Sequence, residues 1–483
     1  MLMSLQLIYG PSGSGKSYTL YKKIIEQSIR EPDREFIVIV PEQFTMQTQR
    51  ELVELHPNRG ILNIDVQSFL RLAWRIFEEV GVDTHTVLED TGKNLLLRRV
   101  ASRQKNDLTV LGRNFRKPGY ISQVKSIISE LKQYDVSLEE LDEQLRSGKK
   151  DALSYKLQDI RNLYEGFQEE LQGKYITSEE ILEELCYVVK KSEILKGCVV
   201  ALDGFTGFTP IQNKLLRELM QTAEKIYVTV TLDAWEDPMK KVSMHKLSYL
   251  SKKTIQQLAG AAKECGCMLE NPEVLGKEGS IRFRSAPALR FLERHLFRPG
   301  NQIYEARDSQ KLERELSLHV ARDAKAEAEF AARTIWHLVR EENLRYRDIA
   351  VITGDMESFG DHMKKELQQK GIPCFIDRTR KLLLNPLVEF LRSALQIAAK
   401  SFRYESVFRY LRTGLVGLKK DEIDRLENYV LANGINSRRR WEEPWMNRKN
   451  RSKRRSCRRC LPLWIRSEKR TGRCVRKQKH FMI

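Results

Sequence analysis

Long apolar runs are missing from this sequence. The longest, such as FIVIV at 36–40, are strand-sized, whereas a membrane-spanning helix needs about eighteen or more consecutive apolar residues. No membrane partner is therefore expected. A basic leader is missing too. MLMSLQLIYG runs straight into a glycine-rich motif, which argues against a secretory signal and makes the cytoplasm the expected location. Cysteine is scarce, eight in 483 residues. Cys186, Cys198, Cys265, Cys267 and Cys374 are scattered, as reduced cytosolic thiols are, rather than spaced as a disulfide framework.

Acid is short in one place only. Residues 446–483 hold 15 Lys/Arg against a single acid, Glu468, whereas the preceding residues carry 69 basic and 64 acidic side chains. The net charge of +19 invites a nucleic-acid reading, but most of it sits in that tail. The body is only mildly basic.

What is present is a β-α-β alternation. LQLIY at 5–9, the run at 36–40 and ILNIDV at 61–66 read as strands, and Tyr18–Ile29 reads as a helix between the first two. From about 84 to 194, long charged amphipathic stretches take over, such as Ile121–Tyr134 and Tyr155–Leu171. Strand signals return at 198–202 and 226–232, and residues 235–300 read as mostly helical. A second α/β region follows. Its expected strands are Leu316–Ala321, Ile349–Thr353 and 372–376; its expected helices are Ala324–Arg340, Met356–Lys370 and Pro386–Ala399. The pattern predicts α/β architecture with a parallel sheet.

Gly10-Pro11-Ser12-Gly13-Ser14-Gly15-Lys16-Ser17 fits the P-loop pattern G-x-x-x-x-G-K-[ST] at every fixed position. Glycines let the backbone wrap a phosphate with its N–H groups inward, and the following helix adds the positive end of its dipole. In this reading the whole loop binds ATP. Lys16 reaches the β- and γ-phosphates, and Ser17 supplies a hydroxyl to Mg²⁺. A strand precedes the motif and an amphipathic helix follows it. The catalytic candidates are Lys16 and Asp203, the latter directly after VVAL at 199–202, where an acid can hold the Mg²⁺ shell. The next residue is Gly204, not a second carboxylate that would position water. ATP·Mg binding with poor hydrolysis is expected.

Together these segments resemble a family. LIYGPSGSGKS, IVPEQFTMQTQREL at 39–52, DVQSFLRLAWRIF at 65–77, KLQDIRNLYEGF at 156–167, GKYITSEEIL at 173–182, ALDGFTGFTPIQ at 201–212, LENYVLANGI at 426–435 and RRWEEPW at 439–445 look like the N-terminal part of AddB. AddB is the second subunit of the bacterial AddAB helicase-nuclease and shares the superfamily-1 helicase fold of UvrD and RecB. The resemblance implies a P-loop NTPase fold. Residues 1–83 and 195–300 would form one RecA-like domain, interrupted by a helical insertion at 84–194. Residues 301–445 would begin a second RecA-like lobe, followed by a non-family basic tail at 446–483, expected to be disordered.

The resemblance further implies that Asp203 is the helicase motif II aspartate and that Gln212 contacts nucleotide. It places single-stranded DNA contacts at Gln43 and Thr45, beside Glu42, and at Ser68 and Phe69. It implies an AddA partner, single- and double-stranded DNA as substrates, and double-strand break repair by homologous recombination. The family's nuclease carboxylates and the cysteines of its 4Fe–4S cluster are not expected in this chain.

Helical and strand periodicity both stop near Trp445. Cys457, Cys460, Cys474 and His480 could be taken for zinc ligands, but Arg458 and Arg459 fill the intervening knuckle. A shifted reading frame explains the tail's composition better. Two other functional classes remain: a DNA-binding scaffold working through the tail by counterion release, and a standalone P-loop kinase or ATPase.

Overall fold

Short apolar runs, buried on both faces, build the central sheet. β1 (Ser4–Gly10) leads through the glycine-rich loop into α1 (Lys16–Arg30). β2 (Phe36–Ile39), α2 (Thr45–Leu55), β3 (Ile64–Gln67) and α3 (Phe69–Val80) follow. The computed structural model describes residues 3–442 except 83–85, 105–107, 113, 114, 116, 148–150, 299, 306–308, 377–381, 400 and 401. The tail, with its cysteines and His480, lies outside the described residues. The chain divides into two compact units, the second beginning at Leu318.

In the first unit, β4 (Thr86–Leu88), α4 (Asp90–Arg103), α5 (Pro118–Gln133), α6 (Leu138–Ser147), α7 (Ala152–Leu171), β5 (Tyr175–Thr177) and α8 (Ser178–Val188) come next. The sheet then resumes with β6 (Val199–Leu202), α9 (Pro210–Leu219), β7 (Lys225–Thr231), α10 (Tyr249–Glu264), β8 (Met268–Leu269) and β9 (Glu273–Val274). The unit ends with α11 (Pro287–His295) and α12 (Ser309–Glu315). The main sheet is wholly parallel in the order β3-β2-β6-β7-β1-β8, with β9 also paired to β1. Because side chains alternate faces along a strand, Leu5, Leu7, Ile37, Ile39, Val200 and Leu202 pack toward α3, α8, α9 and α10. Ile8, Phe36, Val38, Val199 and Tyr227 pack on the other face toward α1 and α2. Helices on both faces are what a parallel sheet requires.

Helices α4 to α7 enclose a separate core around Leu97, Ile128, Leu163 and Phe167. Asp159, fully buried, fastens the 109–111 segment to α7: its carboxylate accepts from the backbone N–H groups of Thr109, Val110 and Leu111 at 2.8–2.9 Å. α8 falls within the same sequence interval, yet its Leu182 and Leu185 join the core of the main sheet.

The second unit departs from expectation. Its helices are α13 (Ala324–Arg340), α14 (Met356–Gln369), α15 (Pro386–Ala399), α16 (Tyr404–Leu411), α17 (Lys420–Ala432) and α18 (Arg438–Glu442). The strands expected at Leu316–Ala321, Ile349–Thr353 and 372–376 are not formed, so the described residues contain no sheet of a second RecA-like lobe. Leu318, Val320, Ile352 and Phe375 are at least 90% exposed. A strand exists only through the ladder that pairs it, and these segments have no neighbour to bond. No helix among the described residues is long and apolar enough to cross a membrane.

Candidate functional site

The glycine-rich loop leaves the carboxyl end of β1, the edge at which open parallel sheets present their ligand sites. Gly13 (φ 73°) and Gly15 (φ 89°) adopt left-handed conformations that fold the loop back on itself. Ser14 N–H bonds to Pro11 O, and Thr19 N–H bonds to Gly15 O as α1 begins. Outside the loop runs the segment after β9, anchored by Leu275 N–H to Tyr9 O and by Arg282 N–H to Gly13 O. The fit is close: a Cβ on Gly10 would lie 2.5 Å from Leu275 O, and one on Gly13 would lie 2.6 Å from Ser280 Oγ and 2.8 Å from Arg282 Cβ.

Lys16 lies in the first turn of α1 and turns back on its own loop. Its Nζ donates to Gly10 O (3.1 Å) and Pro11 O (2.9 Å). Burial lowers its pKa, partly offset by the charges of Asp203 and Glu293 and reinforced by Arg282. The hydroxyls of Ser14 and Ser280 are both buried without a hydrogen-bond partner among the described residues. They lie where the loop meets the 275–282 segment. Gly13, Gly15, Lys16, Ser17, Tyr21, Glu51, Glu54 and Arg282 line a cavity of about 580 Å³ beside it, and neither Ser14 nor Ser280 is part of that lining.

Asp203 directly follows β6, and its N–H bonds to Ile39 O. Its side chain is 5% exposed and does not line that cavity. Tyr21, one turn along α1 from Ser17, donates its hydroxyl to Asp203 Oδ2 at 2.7 Å. Thr229 on β7 donates to Oδ1. Thr48 Oγ1 lies 3.3 Å from the Tyr21 hydroxyl; with the tyrosine proton committed to Asp203, Thr48 is the donor there. Burial, then the Asp203 charge, pushes the Tyr21 hydroxyl far above its ordinary pKa, keeping it a neutral donor. Gly204 has φ 78°, a conformation that an L side chain such as glutamate enters only with strain.

The remaining expected site residues are spread over local tasks. Gln212 closes a capping box with Thr209: its Oε1 accepts from Thr209 N–H at 2.9 Å. Ser68 caps α3 by accepting from Arg71 N–H, and its hydroxyl donates to Glu42 Oε2. Thr45 is buried, donating to Glu42 O at 3.0 Å. Phe69 belongs to the core, its ring centroid 5.4 Å from Phe205 and 6.5 Å from Phe208. Of Gln43, Thr45, Ser68 and Phe69, only Gln43 is exposed, flanked by exposed Phe44 and, two residues further on, Met46.

Sequence reasoning missed Tyr21, Thr229 and Arg282. Tyr21 carried a partial signal: its i+4 spacing from Ser17 puts both on one face of α1, but the apolar pattern of that helix makes it read as core. Thr229 and Arg282 carried none: only the pairing of β6 with β7 and the path after β9 bring them to the loop.

A family model described as "ADDB, N-terminal" matches residues 7–293. This chain belongs to that family. Among similar proteins, an ATP-dependent helicase/deoxyribonuclease subunit of Lachnoclostridium phytofermentans is 46% identical over 92% of the chain. The proteins of the same name from Clostridium novyi and Bacillus anthracis are 35% and 36% identical over 92% and 93% of it. The chain spans 38–39% of the length of these relatives. Their shared name makes each of them one part of an ATP-dependent helicase/deoxyribonuclease.

Proposed function

We propose that the first unit is the nucleotide-holding, helicase-like part of an AddB-type subunit. It acts with an AddA partner on broken double-stranded DNA to prepare ends for homologous recombination. One observation carries the nucleotide part. At the carboxyl end of β1, a loop with two left-handed glycines lines one cavity together with Lys16 and Arg282. Backbone N–H groups of 13–17, the α1 dipole and these two cations are the donors a polyphosphate needs. On binding, Lys16 exchanges the two loop carbonyls for phosphate oxygens. The parallel sheet, with the Asp203 strand one place removed from β1 across β7, agrees with a RecA-like domain.

Hydrolysis has little support in the geometry. Gly204 supplies no carboxylate, and Asp203 is shielded from the cavity, so this subunit works as a weak motor or none. The exposed Gln43 and Phe44, on the loop after β2, are the single-stranded DNA contacts best placed to reach a ligand. A bare basic-tail scaffold would need none of this loop architecture.

The test is equilibrium ATP binding and phosphate release, with and without single-stranded DNA, for this chain and for Lys16→Ala. The expected result is saturable binding weakened about thirtyfold by Lys16→Ala, the worth of about 2 kcal/mol of charge-assisted bonding. Phosphate release should stay negligible. Turnover of tens per second, as in a working enzyme, contradicts the weak-motor reading. Binding unaffected by Lys16→Ala contradicts the loop as its site.

A further inference from the structure

A divalent cation beside a P-loop phosphate needs a carboxylate that faces the phosphate and has lone pairs left for the metal's water shell. Asp203 fails the first condition, and each of its oxygens already accepts one hydrogen bond. It is 5% exposed and absent from the cavity lining, while Tyr21 lines that cavity and donates its hydroxyl to Oδ2. Thr229 occupies Oδ1. Thr48 closes the far side of the tyrosine hydroxyl, so α1, α2, the end of β6 and β7 share one buried polar network. A buried polar network of this kind resists rearrangement, because freeing one member leaves its partners short of a bond. Lys16 and Arg282 bring positive charge to the cavity lining, which they share with Glu51 and Glu54.

Building on the nucleotide reading above, we propose that Tyr21 takes the place of the hydrated cation at Asp203. The loop then holds the polyphosphate of a nucleotide as the free anion, with no requirement for Mg²⁺, and the phosphoanhydride bonds stay intact. The bound nucleotide serves as a structural ligand that ties the 275–282 segment to the sheet edge. The arrangement is specific to the tyrosine hydroxyl, which a phenylalanine would not supply.

The experiment is calorimetric titration of ATP into the full chain, in excess Mg²⁺ and in EDTA, repeated with Tyr21→Phe. Thermal unfolding of both proteins establishes that the variant is folded, and Thr48→Val serves as a second variant that loosens the same hydroxyl. The original chain should show dissociation constants agreeing within about threefold between the two buffers. Tyr21→Phe, with Oδ2 released, should bind at least about tenfold more tightly in Mg²⁺ than in EDTA, because a bound cation becomes the largest local charge once it has a carboxylate. A tenfold loss of binding by the original chain in EDTA overturns the inference and leaves the nucleotide site standing. Indifference of Tyr21→Phe to Mg²⁺ also overturns it, since the cause would then lie elsewhere. Absence of ATP binding in both buffers removes the nucleotide reading, and this inference with it.

Discussion

Adding one methyl group at Gly13 should impair the loop more than the same change at Gly15, and the structure gives the reason. Both residues have positive φ, 73° and 89°, so alanine at either position carries about 1–2 kcal/mol of left-handed strain. At Gly15 the new Cβ meets only Ile281 Cδ1, at 3.8 Å, so strain is the whole effect. At Gly13 it meets Ser280 Oγ at 2.6 Å and Arg282 Cβ at 2.8 Å, and overpacking adds about 1–3 kcal/mol. A free loop relieves that strain by shifting, and the ligand must then restore the cradle, so the strain appears as lost affinity. Gly15→Ala should weaken ATP binding about tenfold and Gly13→Ala about a hundredfold. Gly81→Ala is the control. Its φ is also positive, at 71°, but no atom lies within 4 Å of its Cβ and it caps α3 away from the loop, so binding should be unchanged. The assay is titration calorimetry with hydrogen exchange at 275–284, where Gly13→Ala alone should raise exchange. Equal losses for Gly13→Ala and Gly15→Ala, or none for either, refute the reasoning.

Three further outcomes follow from the same structure. Lys93 bonds the Glu179 carboxylate at 2.7 Å, with side chains 5% and 10% exposed. Burial opposes the Glu179 charge, but the bond and charge of Lys93, a backbone N–H and the Ser129 hydroxyl together outweigh it and hold its pKa below the ordinary value of 4.5. This pair therefore stabilises the fold above the unfolded carboxylate's pKa, and the benefit is lost as pH falls through the depressed folded value. Lys93→Met should cost about 3–5 kcal/mol at neutral pH and less in acid, read by hydrogen exchange in α4 and α8. Burial pushes Cys198 up to about 12 and Cys186 up to about 11, whereas Cys374 is exposed. Iodoacetamide at pH 8 should alkylate Cys374 well before either, as peptide mass mapping reads directly. Deleting 446–483 should leave ATP affinity unchanged and cut salt-sensitive duplex binding, with single-strand binding persisting in filter assays; complete loss of DNA binding would favour the scaffold reading.

The main sheet was legible in the sequence because its strands are short apolar runs closed by turn residues, and parallel burial on both faces writes that pattern plainly. The glycine loop was legible because phosphate chemistry fixes its spacing. The two-residue strands β8 and β9 were not, being too short to show a period. Nor was the network at Asp203, whose partner Tyr21 is 182 positions away in sequence; on α1 the tyrosine reads as one more apolar-face residue. Phe69 and Gln212 read as contact residues through a resemblance, whereas packing and capping are their visible tasks. In the second unit the alternation around Leu318, Ile352 and Phe375 records strand propensity, which is context-dependent and becomes a strand only when a neighbour pairs it.

The most direct test of the central claim is a crystal structure of this chain soaked with ATP. The expected result is terminal phosphates within hydrogen-bonding distance of the backbone N–H groups of residues 13–17, with Lys16 Nζ moved from Gly10 O and Pro11 O onto phosphate oxygen. A nucleotide bound elsewhere, or a loop left with Lys16 on its own carbonyls at saturating ATP, contradicts the claim.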